Sequence, residues 1–154
     1  MNFRFRRFLA TTTLAAACAA AGVPLVHFST DYVFDGNGTR PYREDDATAP
    51  LGVYGASKWA GEQAVRDSGA AHKIFRLCWV YGPSGTNFLL TMLRLARERG
   101  HLRVVDDQRG TPTSALRIAR AVASALGRDG WRSGTWHLSA GGQCSWHGFA
   151  AAIF

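Results

Sequence analysis

The sequence is poor in cysteine, in lysine and in long apolar runs. Its three cysteines, Cys18, Cys78 and Cys144, are an odd number at wide spacings, which suits neither a disulfide framework nor a zinc site. Only two of its 18 basic residues are lysines, Lys58 and Lys73. No segment is long and apolar enough to span a bilayer. These shortages indicate free thiols in a reducing compartment and no membrane partner.

The net charge is +7, but the basic residues are not distributed as in a nucleic-acid-binding protein. The excess comes from arginines that are scattered along the chain, whereas nucleic-acid binding favours a clustered basic stripe with interleaved aromatic residues. We therefore expect no nucleic-acid partner. The five histidines show no ligand spacing either, so the sequence supports no metal site.

With 154 residues, 47% of them hydrophobic, the chain can form one domain or a piece of one with a real core. Short apolar runs, bounded by Gly and Pro, predict strands at 23–28, 73–80, 102–105 and 135–139. Apolar residues at helical spacing predict helices at 53–66, 88–99, from Thr113 or Ser114 to 126, and from Ser145 onward. The alternation predicts an α/β fold built from βα units around a mainly parallel sheet.

The first predicted strand ends in a dense polar stretch, "HFSTDYVFDG" at 27–36. The second ends in an aromatic one, "CWVYG" at 78–82. In open α/β sheets ligands bind outside the carboxyl ends of the strands. The two strand ends therefore predict a binding site.

Tyr54 and Lys58 stand four residues apart on the predicted helix 53–66 and share one face of it. An ammonium beside a phenol favours the phenolate, so such a tyrosine can exchange a proton with a substrate oxygen. Thr30, at the end of the neighbouring strand, can hydrogen-bond the same oxygen. These groups suit carbonyl reduction or alcohol oxidation, although a Tyr-x-x-x-Lys pair alone also fits the surface of an amphipathic helix.

Two interpretations of the N-terminus stay open on pattern alone. A basic start, an apolar stretch from 8 to 21 and Ala17-Cys18-Ala19 are typical of a cleaved signal peptide, which would imply export. The alternative is a helix over 14–21, closed by Gly22 and followed by Pro24.

Six motifs resemble those of the extended short-chain dehydrogenase/reductases and, among these, of the dTDP-4-dehydrorhamnose reductase family. They are "VHFSTDYVFDG" (26–36), "PLGVYGASKWAGE" (50–62), "FRLCWVYG" (75–82), "NFLLTML" (87–93), "DQRGTPT" (107–113) and "WHLSAGG" with "SWHGFA" (136–150). The resemblance runs from about residue 14 to residue 154, so we expect a divergent start at 1–13. Over 14–154 it implies a partial Rossmann-like parallel sheet with flanking helices and part of the small substrate-binding region.

The resemblance implies that Thr30, Tyr54 and Lys58 form the catalytic group. Tyr54 would protonate the C4 oxygen of the sugar, Lys58 would hold the nicotinamide ribose, and Thr30 would orient the carbonyl, with Ser29 as the adjacent hydroxyl. The implied reaction is NAD(P)H-dependent reduction of dTDP-4-dehydro-L-rhamnose to dTDP-L-rhamnose. The implied cofactor is NADPH or NADH; Mg²⁺ is compatible with the family, but no sequence pattern supports it.

Further positions match segments that line the nucleotide-sugar site in that family. They are Asp31, Tyr32 and Trp79 around the sugar, and Asn87 and Arg109 toward the nucleotide. The resemblance also makes the helical interpretation of 14–21 the better one. It implies a cytoplasmic chain with a dTDP-sugar ligand, and a homo-oligomer is compatible with it.

One part of the family's pattern is not in the sequence. The family holds the pyrophosphate on a glycine-rich turn after its first strand, and no G-x-x-G-x-x-G occurs here. The matching region begins midway through the family's domain and ends within a helix. We therefore expect a fragment with little reductase activity by itself. A non-catalytic nucleotide-sugar-binding protein and a related epimerase or dehydratase are the alternatives.

Overall fold

The computed structural model describes residues 3–127 and 131–154, with side chains from residue 10 onward. The chain forms two compact units, one made of residues 1–77 and 129–137, the other of residues 78–128 and 138–154. The elements in chain order are α1 (Phe3–Ala21), β1 (Leu25–Thr30), a 3-10 turn (Asp31–Val33), α2 (Val53–Asp67), β2 (His72–Leu77), β3 (Val80–Tyr81), α3 (Phe88–Glu98), β4 (Arg109–Gly110), β5 (Thr113–Ser114), α4 (Ala115–Leu126), β6 (Gly134–Leu138), β7 (Cys144–Ser145) and α5 (Trp146–Ile153).

The first unit has a three-stranded sheet in the order β1-β2-β6. β1 and β2 are parallel, in register from Leu25 opposite His72 to Thr30 opposite Leu77. The parallel α/β architecture expected from the alternating pattern is thereby confirmed. Among the described residues, no helix combines the length and apolarity needed to cross a bilayer.

Helix α1 is packed into the core of the first unit. Ala15 on α1 is fully buried in one apolar cluster with Leu25, Val65 and Ile74, and Cys18 packs against this cluster. The helix predicted over 14–21 is therefore present, and it extends back through the segment expected to diverge. Its small side chains let it lie close to the sheet and to α2.

A buried ion pair ties α2 to β2. Glu62 on α2 is fully buried and accepts two hydrogen bonds from Arg76, one from Nε at 3.0 Å and one from Nη2 at 2.9 Å. Arg66 adds a third at 2.8 Å. Burial alone would raise the pKa of the Glu62 carboxyl, but the hydrogen bonds and charge of Arg76 hold that pKa below its ordinary value. The carboxyl therefore stays ionised inside the unit.

The described residues of the second unit form two short strand pairs and three helices. β3 pairs in parallel with β5, and β4 pairs antiparallel with β7. Aromatic rings fill the space beside α3 and α5: the Phe88 centroid lies 5.3 Å from that of Phe149 and 4.5 Å from that of Trp146. Ser145 begins α5 as predicted, because its side chain accepts the Gly148 amide at 3.0 Å.

Two strand predictions were wrong in this region. The run 102–105 forms no strand, because none of the described strands pairs with it, and Arg103 and Val105 are exposed. The run 73–80 is not one strand, because Trp79 adopts a φ of +40° that breaks the extended backbone. β2 ends at Leu77, and Val80–Tyr81 pairs elsewhere as β3.

The buried pair predicts a large loss of stability when one partner is neutralised. We expect Glu62→Gln to lower the free energy of unfolding by about 3–5 kcal/mol, because it leaves the Arg76 charge buried without a counter-ion. Glu98→Gln is the matched control, since its partner Arg94 lies in an exposed pair and such pairs contribute about 0–1 kcal/mol. Urea unfolding followed by circular dichroism measures both, and equal losses would contradict the role given to the buried pair.

Stability should also fall as the pH drops below neutrality. Burial, and then the positive charge of Lys58, lowers the pKa of His27, although Glu62 acts in the opposite sense. Burial lowers the pKa of His137 as well. Such histidines take up protons more readily in the unfolded chain, so their contribution is complete above a pH of about 6.5 and is lost below it.

Unfolding between pH 7.5 and pH 5.5 tests this expectation. Each histidine can contribute a slope of at most about 1.4 kcal/mol per pH unit. His27→Gln should give a shallower slope than the original chain, because the neutral amide does not titrate. A slope that is flat, or that is unchanged in His27→Gln, would refute the assignment to His27.

Candidate active site

Helix α2 presents Tyr54 and Lys58 one turn apart beside the end of β1. Tyr54 is 51% exposed. The Lys58 ammonium donates a hydrogen bond of 3.0 Å to the Phe28 carbonyl oxygen. Lys58 is therefore fixed at the strand end that the polar sequence stretch singled out.

Thr30 ends β1 and is buried. Its hydroxyl accepts the Tyr32 amide at 3.2 Å, which caps the 3-10 turn, and donates to Asp31 Oδ1 at 3.1 Å. The single hydroxyl proton is therefore directed at Asp31. To donate to a substrate carbonyl, the hydroxyl has to rotate away from that carboxylate. Ser29, the adjacent hydroxyl, is also buried.

Gly55 lets α2 approach the turn that follows β1. A Cβ built on Gly55 would overlap the Tyr32 carbonyl oxygen and lie 2.9 Å from its carbonyl carbon. The close approach brings the Tyr54 and Tyr32 rings edge to face, with centroids 6.0 Å apart. Tyr32 is 49% exposed, so both rings border open space at the strand end.

Sequence reasoning missed Gly55 and the buried partner Glu62. A glycine inside a helix costs about 1 kcal/mol relative to alanine, so Gly55 called for a packing reason. Glu62 follows Lys58 by four residues, as Lys58 follows Tyr54, so the three share one face of α2. The spacing was visible in the sequence, but the partner Arg76 was not.

In the second unit, Trp79 is enclosed on both faces of its ring. Trp146 stacks on one face, with centroids 3.6 Å apart and planes 13° apart. A Cβ on Gly110 would lie 2.7 Å from Nε1 and 2.8 Å from Cδ2 of Trp79. No atom fits between rings 3.6 Å apart, so Gly110 lies against the other face. Only the edge of Trp79 is available to a ligand.

The other two candidates of the second unit differ in their surroundings. Asn87 caps α3: its side-chain oxygen accepts the Leu90 amide at 3.2 Å, and its amide donates to the carbonyls of Gly82 and Ser84. Arg109 lies exposed in β4. Among the residues with described side chains, no group of three His, Cys, Asp or Glu is placed to hold a metal ion.

The structure thus brings five of the predicted residues together in the first unit: Thr30, Asp31, Tyr32, Tyr54 and Lys58. This part of the site combines a half-exposed phenol, an ammonium one turn away and a buried hydroxyl at a strand end. Such groups can orient a carbonyl and pass a proton to its oxygen. Trp79, Asn87 and Arg109 belong to the second unit.

The comparisons with known proteins point to one family. The model of the RmlD substrate binding domain matches residues 7–154. A dTDP-4-dehydrorhamnose reductase of Shigella flexneri is 47% identical over 97% of this chain and 52% of its own length. The Salmonella typhimurium enzyme of that name is 49% identical over 92% of this chain and 48% of its own length. The chain therefore spans about half the length of the curated relatives it matches.

Solved structures of similar fold include a member of the same family. A dTDP-4-dehydrorhamnose reductase of Bacillus anthracis in complex with NADP superimposes with a TM-score of 0.90 at 40% identity, covering 95% of this chain and 52% of that one. The Bordetella bronchiseptica enzyme WbmG in complex with NAD and UDP gives a TM-score of 0.81 at 26% identity, covering 93% of this chain and 46% of that one. The resemblance drawn from the motifs is confirmed, and this chain belongs to the family of the RmlD substrate binding domain.

Proposed function

We propose that the chain supplies the proton-transfer residues and the sugar-binding side of a dTDP-4-dehydrorhamnose reductase. The reaction is NAD(P)H-dependent reduction of dTDP-4-dehydro-L-rhamnose to dTDP-L-rhamnose. The observation that carries the proposal is the set of Tyr54, Lys58 and Thr30 at one strand end, with α2 held there by the Gly55 contact. The names of relatives at 44–49% identity agree with it.

In this proposal Tyr54 donates its hydroxyl proton to the C4 oxygen of the sugar. Lys58 supports that transfer, because an ammonium stabilises the phenolate left behind. Thr30 turns its proton from Asp31 to the substrate carbonyl and so orients it. NAD(P)H, when bound, supplies the hydride that reaches C4.

The residues fit one end of that cofactor. The Lys58 ammonium, which carries three donor hydrogens, lies at the end of β1 beside the Phe28 carbonyl, and a group of this kind suits ribose hydroxyls. The pyrophosphate end has no counterpart here, since the sequence lacks the glycine-rich turn. We therefore propose that this chain alone is inactive.

The sugar and nucleotide contacts are further parts of the proposal. In this proposal Tyr32 and Asp31 contact the sugar near the reacting oxygen, and Trp79 contacts it through an edge rather than a face of its ring. Arg109 is exposed and can meet a diphosphate with two parallel hydrogen bonds. Asn87 contributes by holding the start of α3, because its amide is engaged as a cap.

A nucleotide-sugar-binding protein without catalysis is the second candidate, and the absent glycine-rich turn favours it.

A dehydratase would require acidic residues beside Thr30. Asp31 is there but is engaged by the Thr30 hydroxyl, and no Glu follows it. The reductase is therefore the better proposal. We place the chain in the cytoplasm, where its three cysteines, which form no disulfide, stay reduced, and a homo-oligomer is compatible with this.

A chimera tests the reductase proposal. The half of the Shigella flexneri relative that lies outside the match is joined to this chain, and the oxidation of NADPH with dTDP-4-dehydro-L-rhamnose is followed by the loss of the ultraviolet absorbance of the reduced nicotinamide. We expect turnover by the chimera and none by the chain alone. Tyr54→Phe should lower kcat by about 10²–10⁴, because the proton donor is lost.

Thr30 provides the matched pair of variants. Thr30→Ser keeps the hydroxyl and should keep most of the activity, whereas Thr30→Val should not. Turnover by the chain alone that disappears in Tyr54→Phe would overturn the inactive-fragment proposal. Binding of dTDP to a chimera that never oxidises NADPH would favour the non-catalytic candidate.

Gly55 should be as sensitive as a catalytic residue without touching the substrate. In the chimera, Gly55→Ala should lower kcat by at least about tenfold, because a methyl group there pushes α2 and Tyr54 away from the Tyr32 carbonyl. Gly52→Ala is the control, since a Cβ at Gly52 meets nothing within 4 Å. Equal kcat values for the two variants would show that the close approach does not position Tyr54.

A further inference from the structure

A long irregular segment connects the strand end that bears Thr30 to the helix that bears Tyr54. Residues 34–52, here called the connector, are all described and form neither helix nor strand. Irregular loops longer than about 12–15 residues are uncommon in compact domains, and most are either functional or disordered. The way in which the connector is held therefore bears on how the two proposed catalytic groups face each other.

The connector is held in one shape by its own side chains. The Phe34 and Tyr42 rings stack, with centroids 4.3 Å apart and planes 7° apart. The Tyr42 hydroxyl donates to Asp35 at 2.6 Å. Arg40 donates to both carboxylate oxygens of Asp46, at 2.9 and 2.7 Å. Compact loops packed by their own side chains are frequently functional.

Arg76 on β2 attaches the connector to α2. Its side chain is 3% exposed and donates to both carboxylate oxygens of Glu62 on α2. Its other terminal nitrogen, Nη1, donates to the Glu44 carbonyl oxygen at 3.2 Å, and Cζ lies 5.0 Å from the Phe34 ring centroid. Glu44 is fixed in turn, because its side chain accepts the His137 amide of β6 at 2.8 Å. A single guanidinium thus contacts the helix and two points of the connector.

Both groups that Arg76 contacts lead to a proposed catalytic residue. Glu62 lies about two turns beyond Tyr54 on the same face of α2. Phe34 directly follows the 3-10 turn that Thr30 caps, and its amide closes that turn with a hydrogen bond of 3.0 Å. We propose that Arg76 is a positioning residue of the reductase reaction. Through these two contacts it holds the Thr30 hydroxyl and the Tyr54 phenol at a fixed separation, an inference that rests on the proposed function.

An arginine suits this task better than a lysine does. The planar guanidinium has five donor hydrogens in a fixed fork, so it can bond a carboxylate twice and a carbonyl in a third direction. A lysine would keep the charge opposite Glu62, but its three donors sit on one nitrogen, and its ammonium has no flat face for Phe34. Arg76→Lys therefore separates charge compensation, which supports the fold, from the geometry that the reaction requires.

The chimera with the Shigella flexneri half tests the proposal by its kinetics. Arg76→Lys should lower kcat at least about tenfold, because small misplacements of reacting groups are costly. Arg66→Lys is the matched control, since Arg66 bonds the same carboxylate but otherwise contacts Gln63 and Thr135, outside the connector. Its kcat should stay within about twofold of the original value, because this pair is partly exposed. Equal kcat values for the two variants would overturn the proposal.

A double-mutant cycle separates positioning from general damage to the fold. In the Thr30→Val background the hydroxyl is gone and its placement no longer matters, so Arg76→Lys should lower kcat by less than about threefold. General damage would lower kcat by the same factor in both backgrounds, and that result would refute positioning. If Arg76→Lys does not fold, Phe34→Leu takes its place with the same expectations, because it removes only the ring that the guanidinium faces.

Amide exchange in this whole chain, followed by NMR, provides a readout that needs no turnover. The Tyr32 amide bonds to the Thr30 hydroxyl, so a loosened turn should exchange this amide faster. We expect an increase of at least about fivefold in Arg76→Lys and no change in Arg66→Lys. An unchanged rate at Tyr32 in both variants would overturn the proposal. A chimera that never oxidises NADPH would count against the proposed function, and the exchange rates would still decide whether Arg76 holds the turn.

Discussion

The buried contact between Glu62 and Arg76 fixes the helix on which the candidate site is built. Tyr54, Lys58 and Glu62 follow one another at four-residue spacing on α2, so locking the last of them sets which way the other two point. The two hydrogen bonds from Arg76 supply a direction as well as an attraction. Gly55 then sets the distance, because its missing side chain lets α2 touch the Tyr32 carbonyl.

Sequence patterns predicted the parts of the site that depend on spacing along the chain. Tyr54 and Lys58 share a helix face whatever lies opposite, and Thr30 ends a strand because an apolar run stops there. The Glu62–Arg76 pair could not be predicted from the sequence, since an acidic residue on a helix is solvated far more often than buried. The wrong strand prediction at 102–105 has the same origin: the local composition permitted a strand, but none of the described strands pairs with it.

Trp79 shows how tertiary contacts change the meaning of a motif residue. Its place after β2 favoured a wall for the sugar, yet Trp146 and Gly110 cover both faces. The backbone of Trp79 has a φ of +40°, which divides the predicted strand 73–80 into β2 and β3. The role of Asn87, in contrast, could be predicted from its neighbours in the sequence. An asparagine just before a helix is an ordinary N-cap, and Asn87 precedes α3.

The edge of β1 connects the fold to the chemistry. β1 carries no lysine, carboxylate or proline, and none of the described strands pairs with its edge opposite β2. The ammonium of Lys58 occupies a carbonyl on the open side, so one group serves both the strand and the candidate site. The sheet and the proton-transfer residues are therefore parts of one arrangement.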